Sequence, residues 1–432
     1  MSNGARIRRK GLAATAGLAI LGLTAACSSG DATSDSSADA GSGSGEDVVL
    51  EFAQWWEPEL PDGMLRGLMD QFEEENPGIT VELLSGPYAS TKEQVVAGAA
   101  SGTMSDVVGL DGAWVSDFVN QGAIADLSAL MTDAGYDESQ LAAQVQLNGA
   151  TYEIPVVNFA YMLFTNDAIL ADAGVDVPST RSEFVDAAEA VTTDDVSGWI
   201  LPLSLEAPNG VQNDVMSWVW ASGGSMLADG QPDLTNEAVT SATEYIKELN
   251  DAGVIAPGAA TLKEQDKVEE FTNGRVAMMI SSLAHINTIR ESNADLEFTI
   301  SAVPAEDGYS GERGTPYASW GIGVAENSEH KAEAWKLIDF LMSESANAEL
   351  ADAANAFPGN STAVPEFVNN DEIFQEAFDV WQAGYPANEF VGLPVAEQLM
   401  REYGEQLQRV LAGEIEVSEA LENAQAAWMD EF

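Results

Sequence analysis

Two adjacent indoles, Trp55-Trp56, and an acidic turn, Asp111-Gly112, each follow a short apolar run. Aromatic rings cover the C–H faces of a sugar, while carboxylates and amides pair with its hydroxyls. Neighbouring tryptophans cannot both point into one face of a strand, so at least one of the pair is expected near a ligand. Asp111 also has a plainer role open to it, bonding the backbone of its own turn. Further along, Ser281-Ser282 precede His285, and Tyr317 and Trp320 flank Ser319 and Gly321. Small residues beside a large ring suit the close approach of a ligand. Trp114, Trp218 and Trp220 are read as core.

The chain offers little for catalysis. It carries 71 acidic residues but two histidines, His285 and His330, and one cysteine. Nucleophile-elbow, phosphate-loop and H-E-x-x-H signatures are missing from the sequence. A glycoside hydrolase needs only two carboxylates at the right separation, but with so many acids a chance pair is expected. No enzyme, metal or cofactor is expected.

The elements that must position these side chains begin after an unusual leader. Residues 1–26 hold Arg6, Arg8, Arg9 and Lys10 and then an uncharged run, Gly11–Ala26, which is the pattern of a secretory signal peptide. It ends at Leu23-Thr24-Ala25-Ala26-Cys27, and small residues before a lone Cys resemble a bacterial lipobox whose thiol is acylated. Residues 27–46, rich in Ser, Gly, Ala and Asp, read as a flexible tether. Cleavage before Cys27 removes four cations and no acids, deepening a net charge of −54. That excess excludes nucleic-acid binding and disfavours contact with anionic lipid away from the anchor. With a single cysteine, stability rests on burial rather than disulfides.

From residue 47 the hydrophobic periodicity alternates between strand and helix. Strands are expected at 47–54, 79–84, 106–110, 275–280 and 296–303, and helices at 62–76, 90–101, 237–250, 264–273 and 329–342. The region after Asp371 is again helical. This alternation predicts a mostly parallel sheet covered on both faces, with ligands at the carboxyl ends of the strands.

Several blocks then resemble the family 1 extracellular solute-binding proteins of the maltose-binding type. They are Ser105–Trp114 running on to Asp126-Leu127, Tyr152-Glu153-Ile154-Pro155, Phe164-Thr165-Asn166-Asp167, Phe271–Met278, Ala334-Trp335 and Leu411–Glu414. The resemblance implies an α/β, two-lobe fold of the type II periplasmic-binding kind, with a ligand cleft and hinge. By position, lobe one would be residues 47–157 with 318–372, and lobe two 158–317 with 373–432. The implied function is capture of a neutral mono- or oligosaccharide and its delivery to the permease subunits of an ABC transporter. The protein would act as a lipid-anchored monomer on the outer face of a bacterial cell membrane. A polyamine, amino acid or peptide ligand on the same fold is the alternative.

By that resemblance Asp111 accepts from sugar hydroxyls, and Asn158, Phe159 and Asn213 occupy cleft positions. Family members carry an aromatic near Ser281-Ser282 that this chain lacks, so Tyr317 or Trp320 is expected to supply the ring. Phe390 and Glu389, before Pro394, complete the candidate set. No arginine falls among these candidate site positions, which favours an uncharged ligand over a carboxylate or phosphate.

Overall fold

The computed structural model describes residues 47–432; the expected signal peptide, Cys27 and the tether lie outside the described residues. Thirteen strands follow one another along the described chain: β1 (Val48–Gln54), β2 (Ile79–Ser85), β3 (Val107–Leu110), β4 (Val145–Leu147), β5 (Ala150–Asn166), β6 (Ser197–Trp199), β7 (Leu227–Ala228), β8 (Gln231–Pro232), β9 (Val276–Ser282), β10 (Phe298–Ser301), β11 (Gly314–Val324), β12 (Phe357–Pro358) and β13 (Tyr385–Ala387). Eleven of them form one sheet in the order β2-β1-β3-β11-β5-β9-β6, with β4, β10 and β12 also paired to β5 and β13 to β11. β7 and β8 make a separate hairpin.

The helices form where periodicity and caps agree. Leu65, Leu68, Met69 and Phe72 bury one face of the helix Met64–Glu75, the spacing of an amphipathic stripe. Asp111 caps the helix Gly112–Gln121 by accepting from Ala113 N, and Gly122 ends it in the left-handed region, where a residue without Cβ is unstrained.

The sheet is mixed, not mostly parallel as the sequence predicts. β1 runs parallel to β2 and β3, β6 to β9 and β11 to β13. Every ladder of β5 is antiparallel, as is that of β11 with β3. The physical reason is that β5 and β11 are long opposed strands in mid-sheet. Local alternation of strand and helix does not reveal the direction of a strand that returns from a distance. A second difference is that Ser281 and Ser282 do not follow a strand but are its last rungs, paired with Met162 and Tyr161.

Buried side chains divide along these long strands. A first core draws on residues from Leu50 to Val157 and from Trp320 to Ala356. The other two clusters draw on residues from Ala160 to Tyr317 and from Phe357 to Trp428, and are called the second core below. Membership changes within β5, within β11 and between Ala356 and Phe357. The sequence places that third change later, at 372/373. Phe357 belongs to the later group because its ring packs on Phe378 and Trp381.

Candidate functional site

At the first-core side of this division the carboxyl ends of β1 and β3 lie beside β11, bringing Trp55, Trp56, Asp111 and Trp320 together. Trp56 stacks flat on Trp320, with centroids 5.5 Å apart and planes 8° apart, and Phe159 meets Trp320 edge-on at 5.1 Å. Trp55 packs edge-on against Tyr88 at 5.3 Å and tilted against Trp114 at 5.5 Å. Tyr88 is the exposed ring of this group. Its hydroxyl donates to Asp111 Oδ2 at 2.9 Å, while Asp111 Oδ1 accepts from Ala113 N at 3.0 Å. Burial pushes the Asp111 carboxyl up, and these two donors oppose it.

The second-core side is built from charges instead. A single π-turn, Val211–Val215, carries Asn213 and Asp214; such turns recur at functional sites. Lys267 Nζ lies 3.1 and 3.0 Å from the two Asp214 oxygens, both side chains being fully buried. Glu264 Oε2 touches the same ammonium at 2.9 Å. Burial pulls Lys267 down, but the two carboxylates outweigh it and leave it raised. Burial also pushes Asp214 up against Lys267; contact with both oxygens fits the charged pair. Ser281 Oγ lies 2.9 Å from His285 Nδ1, and Glu264 Oε1 is 3.8 Å from that nitrogen. Burial holds the imidazole below its ordinary value, so it is neutral near pH 7. Among the described residues no group of three or more His, Cys, Asp or Glu side chains is arranged to hold a metal, and the Lys267 ammonium occupies the centre of the acidic group.

Among the direct links that join the sides, a salt bridge and a backbone hydrogen bond lie near the Asp111 turn. Lys92 Nζ pairs with Glu397 Oε1 at 2.6 Å, and Gly392 N donates to Gly112 O at 2.9 Å. Gly112 is required here: a Cβ would lie 2.8 Å from Val391 Cγ1. Beside these links runs a groove of about 320 Å³ lined by Lys92, Trp114, Phe118, Glu397 and Arg401 among others.

Comparison with known proteins places this arrangement in context. Residues 55–348 match the model of the bacterial extracellular solute-binding proteins. The chain belongs to that family. A binding protein of Brucella abortus (strain 2308) is 28% identical over 310 residues, covering 70% of this chain and 74% of the relative. The fold matches the cyclic alpha-maltosyl-1,6-maltose binding protein of Arthrobacter globiformis with TM-score 0.76 at 19% identity, covering 90% of this chain and 99% of that one. It matches the GacH receptor of Streptomyces glaucescens GLA.O, described unliganded and with acarbose, with TM-score 0.71 at 22% identity, covering 89% and 98%. The architecture is therefore the two-lobe α/β fold of periplasmic binding proteins, and the family is one of transport proteins rather than enzymes.

In this solute-binding protein the residues singled out by sequence fall into three groups. Trp55, Trp56, Asp111, Phe159 and Trp320 gather on one side of the junction, and Asn213, Ser281 and His285 on the other, with Ser282 in the adjacent rung facing Tyr161. Asn158 is fully buried in β5, where its amide donates to Pro358 O at 3.4 Å and its Oδ1 meets no protein donor. Tyr317 packs edge-on against Trp381 in the second core. Phe390 packs edge-on against Trp428 in the second core, its ring as buried as that of Trp56. Its neighbour Glu389 accepts from Trp220 Nε1 at 2.7 Å and from Met226 N at 2.8 Å, which ties down its loop. Sequence reasoning missed Tyr88, Glu153, Tyr161, Glu264 and Lys267. Only the first carried a local signal, an aromatic at the start of a helix. The others read as ordinary strand or surface-helix residues until the fold buries them.

Proposed function

We propose that the protein captures a neutral carbohydrate, a mono- or oligosaccharide, between its two lobes and delivers it to the permease subunits of an ABC transporter. The observation that carries this is the two-sided set of groups at the junction. Indole and phenyl rings at Trp55, Trp56, Trp320, Phe159 and Tyr88 gather near the Asp111 carboxyl on the first-core side, while the second-core side carries Asn213 and the hydrogen-bonded Ser281 and His285. Rings and hydrogen-bonding groups in one place match a polyol, whose affinity is the sum of many modest contacts. The related folds that bind cyclic alpha-maltosyl-1,6-maltose and acarbose support the same ligand class. Lobe one would hold the first core and lobe two the remainder, and closure about the crossings in β5 and β11 would be the working motion.

We further propose that Cys27 is acylated, that residues 27–46 tether the folded part to the outer face of the cell membrane, and that the protein works as a monomer without catalytic activity or cofactor. Turnover of oligosaccharides by the purified protein would overturn the last point. A second reading, a cationic solute such as a polyamine, draws support from the junction carboxyls Asp111, Glu153, Asp214 and Glu264, which outnumber the ammonium groups of Lys92 and Lys267. Thermal-shift screening separates the two. A ligand at 100 times its dissociation constant adds about 2.7 kcal/mol of stability. At least one neutral mono- or oligosaccharide is expected to shift the midpoint clearly, whereas a shift with polyamines and none with carbohydrates would replace the first reading with the second.

A further inference from the structure

Glu153 is the least compensated polar side chain near the junction. It is fully buried on β5, and neither carboxyl oxygen meets a hydrogen-bond donor among the described residues. An unpaired buried carboxyl is costly, so interiors seldom keep one without a role. Its position is built for it. The carboxyl lies across β11 directly over Gly321, where a Cβ would come within 2.0 Å of Oε1 and 2.2 Å of Cδ. Any residue but glycine at 321 would expel it.

The direction of reach matters as much as the burial. Gly321 pairs with Leu110 at the carboxyl end of β3 and follows a register shift after Trp320. The next residues on those two strands toward the junction are Asp111 and Trp320, the capped carboxyl and the stacked indole. Glu153 is therefore held over Gly321, one residue along the strands from Asp111 and Trp320. The Asp111 charge adds to the effect of burial in pushing the Glu153 carboxyl well above its ordinary value, and Glu153 adds to the effect of burial in pushing up the Tyr317 phenol. Of the cations named at the junction, Lys92 is paired with Glu397 and Lys267 with Asp214 and Glu264, so neither serves as its partner.

We infer that Glu153 is a ligand-binding residue, its carboxyl aimed past Gly321 toward Asp111 to exchange hydrogen bonds with hydroxyls of the bound carbohydrate. This rests on the carbohydrate reading above. A carboxylic acid offers one donor and an acceptor side by side, matching a sugar hydroxyl that both gives and takes. It would also explain why the carboxyl has no partner within the protein: the partner arrives with the solute.

The test compares Glu153→Gln with Glu153→Ala by calorimetric titration against the carbohydrate that shifts the wild type, together with the melting midpoints of the ligand-free proteins. The amide keeps the shape, the donor and the acceptor, so Glu153→Gln should bind within a few-fold of wild type while Glu153→Ala loses about tenfold or more. The ligand-free midpoints of both variants should equal or exceed that of wild type, because a costly group has been removed. Wild-type affinity in Glu153→Ala, with or without a fall in its midpoint, would make the residue structural and overturn the inference while leaving the carbohydrate reading intact. If instead only a cationic solute binds the wild type, the carbohydrate reading fails by itself. In that case a loss in Glu153→Gln as large as in Glu153→Ala would also exclude the hydroxyl role.

Discussion

On the first-core side of the junction, ring packing dominates. Trp56 on Trp320 and Trp55 between Tyr88 and Trp114 are fixed by contact area, and the carboxyls among them, Asp111 and Glu153, have no counter-cation of their own. On the second-core side the charges satisfy one another: Lys267 serves Asp214 and Glu264, and His285 is held by Ser281. The contrast teaches that the two walls bury polar groups by different means. One keeps its polar capacity open while rings exclude water; the other has consumed most of its capacity internally and offers a preset surface with few free donors.

The largest expected effect would break the second-core wall. Lys267→Met leaves two carboxylates buried without their cation and should cost about 3–5 kcal/mol in urea unfolding. Lys92→Met, which removes one member of a half-exposed pair, should stay within about 1 kcal/mol. Equal losses would erase the distinction between a buried charge network and a surface link.

On the opposite wall Trp320→Ala should cost about 3 kcal/mol, since it removes a buried indole and the stacking partner of Trp56. It should also abolish the carbohydrate shift. A variant that melts early yet keeps the full shift would show that the ring is core alone.

A pH experiment sharpens the same comparison. The Glu153 carboxyl is pushed well above its ordinary value of 4.5 by burial first and the Asp111 charge second. The folded chain therefore holds this proton more tightly than the unfolded chain. Its contribution to stability is complete below pH 4.5 and is lost as pH rises through the folded-state value, with a slope of up to about 1.4 kcal/mol per pH unit. Glu153→Gln should flatten that part of the melting-midpoint profile above pH 4.5; an identical profile in the variant would deny the carboxyl its buried state.

A small change in stability is expected of Asp111→Ala, about 1 kcal/mol for the lost helix cap. The same substitution is expected to remove the carbohydrate shift, so stability and binding should separate at this position more than at Trp320. An unchanged shift would take Asp111 out of the site and leave only its capping role.

Much of this was legible before any coordinates. The faces of the helices at 64–75 and 237–251 and the strands β1, β2, β3 and β9 follow from periodicity and caps, whereas the sugar role of Asp111 and the candidacy of Trp320, which stands within β11, came from the family resemblance. The packing of Phe390 was not legible, because an aromatic in a loop carries no sign of which way it faces; only the helix bearing Trp428 decides that. Glu153 gave no sign either, since a carboxylate between Tyr152 and Ile154 alternates like any solvent-facing strand residue.

By itself the sequence determined strands β1, β2, β3, β9 and β10, several of the helices, and where aromatic and acidic groups sit along the chain, because those properties depend on neighbours a few residues away. Tertiary structure alone decided that β5 and β11 run opposed through the middle of the sheet, that Lys267 meets Asp214, and that Glu153 lies over Gly321. Those pairings join residues far apart in the chain, and burial, which sets their charge states, exists only once the packed layers have closed around them.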